Sequence, residues 1–154
     1  MNKTKIGIAT KAALLVVLGT WAVSARAQTC SSRSLKGYYA FTITGQILAG
    51  PEAGPATGVA MTYFDGAGKL TQEDFVVHNG VAPTGFQTGE SGTYTVSSNC
   101  TGSAVINFPS GPPIDLMFVL TKITTTNQAN EIHTVVANSG VNITSIGSQI
   151  NWAF

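Results

Sequence analysis

Gly58-Val59-Ala60-Met61-Thr62-Tyr63-Phe64-Asp65-Gly66-Ala67-Gly68-Lys69-Leu70-Thr71-Gln72-Glu73-Asp74-Phe75-Val76-Val77-His78 decides the fold. Two runs rich in Val, Thr, Tyr and Phe flank an Asp-Gly pair. Such a pair between alternating runs signals a β-hairpin, because both of its residues tolerate positive φ. In the second run Leu70, Gln72, Asp74, Val76 and His78 share one face under period-two alternation.

Outward from this hairpin the pattern repeats. Runs of seven to ten residues rich in Thr, Val, Ile, Tyr and Phe are cut by Gly, Pro, Asn and Asp. No stretch after residue 27 shows 3.6-residue apolar periodicity. That is an all-β signature. Eight strands are predicted, over 37–48, 58–64, 69–78, 86–96, 102–108, 114–124, 131–138 and 141–154. Gly89 and Gly92 suggest a bend or bulge in the fourth. The connections are short and consecutive, which makes an antiparallel meander. Eight meandering strands can close into a barrel and so remove their exposed edges. The runner-up is a two-sheet sandwich. A barrel of this size encloses packed side chains or one small ligand.

Residues 1–27 read as a cleavable signal peptide. Lys3, Lys5 and Lys11 precede and enter an apolar run from Ala12 to Val23, and Ala25-Arg26-Ala27 places small residues at the cleavage site. The interruptions at Lys11, Thr20 and Ser24 leave the run short of the roughly 20 apolar residues of a membrane span. Lipidation at Cys30 is disfavoured by Ala27-Gln28-Thr29 before it. The expected product is a single domain, 28–154, secreted or periplasmic and without a stable membrane anchor.

Removal of the leader turns a net charge of +1 into −3, since Arg33, Lys36, Lys69 and Lys122 remain against all seven acids. No basic footprint for nucleic acid is left, nor a cluster for an anionic membrane surface. The two cysteines, Cys30 and Cys100, enter an oxidising compartment and are expected to pair.

Three patterns occur together: Leu35-x-Gly37-x-Tyr39-x-Phe41, Phe64-Asp65-Gly66-x-Gly68, and Gly92-Thr93-Tyr94-x-Val96-x-x-x-Cys100-x-Gly102. The set resembles a group of small secreted bacterial β-barrel proteins without assigned activity. More distantly the layout is similar to the allene oxide cyclase and dirigent type of barrel and to the calycins. The resemblance implies a fold; turn glycines and core aromatics say little about chemistry.

Candidates for chemistry are few. His78 shares a face with Asp74, a pairing that could orient an imidazole for acid–base work; the plainer reading is a polar residue at a strand end. Glu73 and Asp74 are consecutive and must point to opposite faces. One is expected inside, where a carboxylate is costly unless paired or protonated. Asp115 raises the same question in the sixth strand. His133 shares a face with Glu131. Tyr39, Phe41, Tyr63 and Tyr94 are the candidates to line an apolar ligand cavity, although a packed core uses the same residues. No metal-ligand spacing, phosphate loop or nucleophile elbow is present, so neither metal nor cofactor is expected.

The leading expectation is a module that binds a small apolar molecule. An isomerase or cyclase is the second, and a structural or surface-interaction protein without a pocket the third. A filled interior would exclude the first two, and an inward acid or histidine in a cavity would favour catalysis. A homo-oligomer stays open.

Overall fold

The computed structural model describes residues 29–151. The predicted leader, 1–27, and the predicted end of the last strand, 152–154, lie outside the described residues. After a single 3-10 turn, Ser32–Ser34, the strands are β1 Lys36–Ile47, β2 Gly54–Asp65, β3 Lys69–His78, β4 Gln87–Val96, β5 Thr101–Asn107, β6 Ile114–Ile123, β7 Ala129–Val136 and β8 Val141–Gln149. Each pairs antiparallel with the next and β8 pairs with β1, closing the barrel. The meander barrel, rather than the sandwich, is the architecture.

The deciding hairpin forms, with one difference in its turn. Asp65 stays in β2, and its Oδ1 accepts hydrogen bonds from the amides of Ala67 (2.6 Å) and Lys69 (3.0 Å). Positive φ falls on Gly66 (81°) and Gly68 (104°) instead. Those bonds hold the Asp65 carboxyl below the usual carboxylate range. A second difference is the start of β2, four residues earlier than expected. Gly54 pairs with Ile47 and Pro55 with Gln46, so only 48–53 remain as loop. The missing Pro55 N–H matters little this close to a strand end.

Inward positions follow strict alternation. Tyr39, Phe41, Ala60, Thr62, Phe64, Leu70, Gln72 and Asp74 are all buried. Two inward positions are glycine because rings occupy the space of a Cβ: Gly102 lies against Phe118 and Gly147 against Phe41. Between β3 and β4 the register slips, with Gln72 opposite Glu90 but Asp74 opposite Gln87. The extra residue of β4 is accommodated at Gly89 (φ 84°), a bulge with glycine in the left-handed region.

One end of the barrel is plugged. Leu35 and Tyr39 are fully buried, and the rings of Tyr39, Phe64 and Tyr94 meet edge to face at 5.5 and 5.1 Å. The segment 29–35 crosses this end and is tied to the turn after β4 by the disulfide Cys30–Cys100 (Cα–Cα 5.0 Å, 70 residues apart). The opposite end carries the loops 48–53, 79–86, 108–113 and 137–140.

Candidate functional site

Above the aromatic plug the lumen is hollow. A cavity of about 520 Å³ runs toward the loop-bearing end, reaching Glu52, Gln87 and Pro112 there. Its wall is mostly apolar, from Phe41, Ile43, Ile106, Leu116, Phe118, Ile132 and Val136 among others. One side is polar. There β2 and β3 set Thr62, Gln72, Asp74 and His78 against the lumen, and β7 and β8 add Thr134 and Ser145 opposite, whose hydroxyls are 2.6 Å apart.

The polar side is a connected network. Thr62 Oγ1 donates to Gln72 Oε1 (2.8 Å). Gln72 Nε2 donates to Glu90 Oε2 (2.9 Å) and, more weakly, to Asp74 Oδ2 (3.5 Å). Glu90 is 1% exposed, and its Oε1 has no hydrogen-bond partner. His78 Nδ1 is likewise buried without one. Burial, then the neighbouring Asp74 charge, push the Glu90 carboxyl up to about 7 against the pull of Gln72. Burial also raises Asp74, opposed by His78 and Gln72. Two carboxyls joined through one amide cannot both ionise cheaply, so each favours its neutral form more than a free carboxyl does.

The structure sorts the sequence candidates. Of the consecutive acids, Asp74 faces the cavity and Glu73 is exposed outside. His78 lines the cavity on the same strand face as Asp74. Asp115 is exposed on the outer face, so it is not an interior acid. It sits between the inward positions Ile114 and Leu116, and alternation turns it out. His133 is also outside, 3.0 Å from Glu131. Glu131 in turn bonds Lys122, and that contact first, then His133, lowers its carboxyl to about 2.

Among the expected ligand contacts only Phe41 lines the cavity. Tyr39 and Tyr94 belong to the plug, with hydroxyls engaged on backbone: Tyr94 donates to Leu35 O (2.9 Å), Tyr39 to Ala129 O (2.5 Å). Burial pushes the Tyr39 phenol up to about 12. Tyr63 is on the outer face, its ring tilted against Tyr38 with centroids 4.9 Å apart. Phe64, not Tyr63, has the inward parity of β2.

Glu90 is the site residue that the sequence reading passed over. Its signal was present: counting back by twos from Tyr94 puts Glu90 on the inward face. Among the described residues, no three His, Cys, Asp or Glu side chains converge to hold a metal ion, and no helix is long and apolar enough to cross a membrane. Comparison with models of protein families, with curated proteins and with solved structures gave no match.

Proposed function

We propose that this protein binds one small, mainly apolar molecule inside its barrel, admitted through the loop-bearing end. The observation that carries this reading is the cavity of about 520 Å³ with apolar walls and a single polar side. That volume lies in the range of ligand sites, and a few placed polar groups in an apolar chamber are what fixes a ligand's orientation. The test is titration with the neutral apolar dye N-phenyl-1-naphthylamine. One saturable site per chain is expected, weakened about tenfold or more when Ile143→Trp fills the lumen. Unsaturable binding, or unchanged affinity in the filled variant, overturns the reading. Native mass spectrometry of protein recovered from its own host would then name the occupant.

A second reading, an isomerase or cyclase, is favoured by one observation: Asp74 and His78 both line the cavity. A carboxyl with raised proton affinity could take a proton from one carbon and return it at another, with no other reactant consumed. Binding leads because no hydrogen bond joins Asp74 to His78 among the described residues. Catalysis predicts that wild type, but not Asp74→Asn, converts a component of a host lipid extract; identical extracts sink it.

Export belongs to the same proposal. The Cys30–Cys100 bridge supports an oxidising compartment, and N-terminal sequencing of the mature protein is expected to begin at Gln28. The kinship with small secreted bacterial barrels is a proposal as well, resting on the three sequence patterns.

A further inference from the structure

We propose that the occupant of the cavity is a cation, an apolar body ending in an ammonium group that docks on Asp74. The proposal rests on the binding reading above and adds the head group.

The network presents acceptors to the lumen and keeps its donors to itself. The Thr62 hydroxyl is given to Gln72, and the Gln72 amide N–H groups are given to Glu90 and Asp74. What this network leaves open is carboxylate oxygen, and beside it the His78 imidazole has no hydrogen-bond partner at Nδ1. Asp74 is 6% exposed and lines the cavity; one oxygen takes only the 3.5 Å contact from Gln72, and the other receives no hydrogen bond from any described residue. A buried carboxylate left in this state is costly, whereas one paired with a donating cation is not.

No permanent counter-ion comes from the protein; His78 on the same wall can carry positive charge, but no hydrogen bond joins it to Asp74 among the described residues. Neither Lys nor Arg lines the cavity, and its titratable residues are Glu52, Asp74 and His78. Of the described cations, Lys122 bonds Glu131 on the outer surface, and Arg33, Lys36 and Lys69 belong to the plugged end. A carboxylate ligand would therefore meet Glu52 at the mouth and Asp74 within, with no fixed positive charge to offset them. A neutral hydroxyl could satisfy one Asp74 oxygen but would leave the repulsion between Asp74 and Glu90 untouched. An ammonium does both, and several N–H groups let it reach Asp74 while the chain lies along the apolar wall.

The experiment compares decylamine, 1-decanol and decanoate on the purified chain by calorimetry at pH 7. The amine should bind about tenfold tighter than the alcohol, the margin of a charge-assisted over a neutral hydrogen bond, and decanoate weakest. Asp74→Asn should collapse the gap between amine and alcohol while the alcohol's affinity stays within about threefold. Should that variant fail to fold, wild type in two buffers of different ionisation enthalpy decides. The amine should release protons from the carboxyl network and the alcohol none. The titratable groups around Asp74 there are His78 on its own strand, Glu90 from β4 and Glu52 at the mouth, with Glu73 outside the wall. Decanoate equal to the amine, a gap that survives Asp74→Asn, or amine binding without proton release overturns the proposal. Decanol bound with no preference for the amine removes the cation and leaves the cavity reading standing. If none of the three ligands nor the dye binds, the cavity reading itself is gone.

Discussion

The two ends of the barrel are made by the same eight strands, yet they use their inward positions in opposite ways. At the plugged end Leu35, Tyr39, Phe64 and Tyr94 fill the lumen, and the phenol hydroxyls that this buries find backbone carbonyls. At the loop-bearing end the inward set is mostly aliphatic with one polar side, and the walls stand apart around about 520 Å³. Among the described residues, no buried side-chain polar atom of the plug lacks a partner. On the cavity wall His78 Nδ1 lacks one, and so does Glu90 Oε1 behind Gln72. The difference separates two uses of one barrel: close packing is concentrated at one end, and the other is left hollow, with polar atoms on and beside its wall that lack partners.

The contrast can be broken at its strongest point by removing the disulfide. It closes 70 residues and pins the segment that caps the plug. Cys30→Ser with Cys100→Ser should cost about 4 kcal/mol in urea unfolding, by the chain-entropy relation. A loss well under 1 kcal/mol would mean that the cap holds without its tether. Next in size, Leu35→Ala should cost about 3 kcal/mol, because the filled end cannot collapse around the gap. Ile143→Ala, on a wall that already borders empty space, should cost about 1 kcal/mol. Equal losses would show the two ends to be packed alike.

Electrostatics sharpens the comparison further. Glu90 has its proton affinity raised in the folded state, from 4.5 to about 7, so folding favours its neutral form. Its contribution is whole below about pH 4.5 and is lost as the pH rises to about 7; Asp74 acts in the same direction. Asp65 and Glu131, lowered by their partners on the surface, act in the opposite sense and weaken the fold as the pH falls. Stability should therefore peak on the acid side of neutral. Glu90→Gln should raise the unfolding free energy at pH 8 by about 1–2 kcal/mol and flatten the decline between pH 5 and 8. A decline that persists unchanged in this variant would move its origin elsewhere. Smallest of all, Tyr63→Ser removes an outer-face ring that packs tilted against Tyr38, and dye affinity should stay within about twofold of wild type.

Much of this was legible from residues alone. The turn glycines and the alternating runs located all eight strands, and β3 was found to the residue. Boundaries drifted where a proline misled, as at Pro55, which pairs within β2 rather than ending a loop. Among site residues, Asp74 and His78 were legible because Leu70 and Val76 mark their face as the inner one. Tyr63 was misassigned because aromatic character suggested an interior place, whereas its neighbour Phe64 holds the inward parity. Tyr39 and Tyr94 do face inward but lie at the wrong depth. Alternation separates inside from outside and carries no information about height along the barrel axis.

The sequence by itself determined that the chain is all β, that its strands meander in order, and which residues alternate together, because those properties are set between neighbours. The three-dimensional fold alone decided which end is filled and that Gln72 bridges Asp74 on its own strand to Glu90 on the next. Depth and cross-strand proximity depend on the register of all eight pairings at once, and on a single slipped residue at Gly89 between β3 and β4. The hairpin at Asp65 announced the barrel; the bulge at its far end brought Asp74 and Glu90 to the two sides of Gln72.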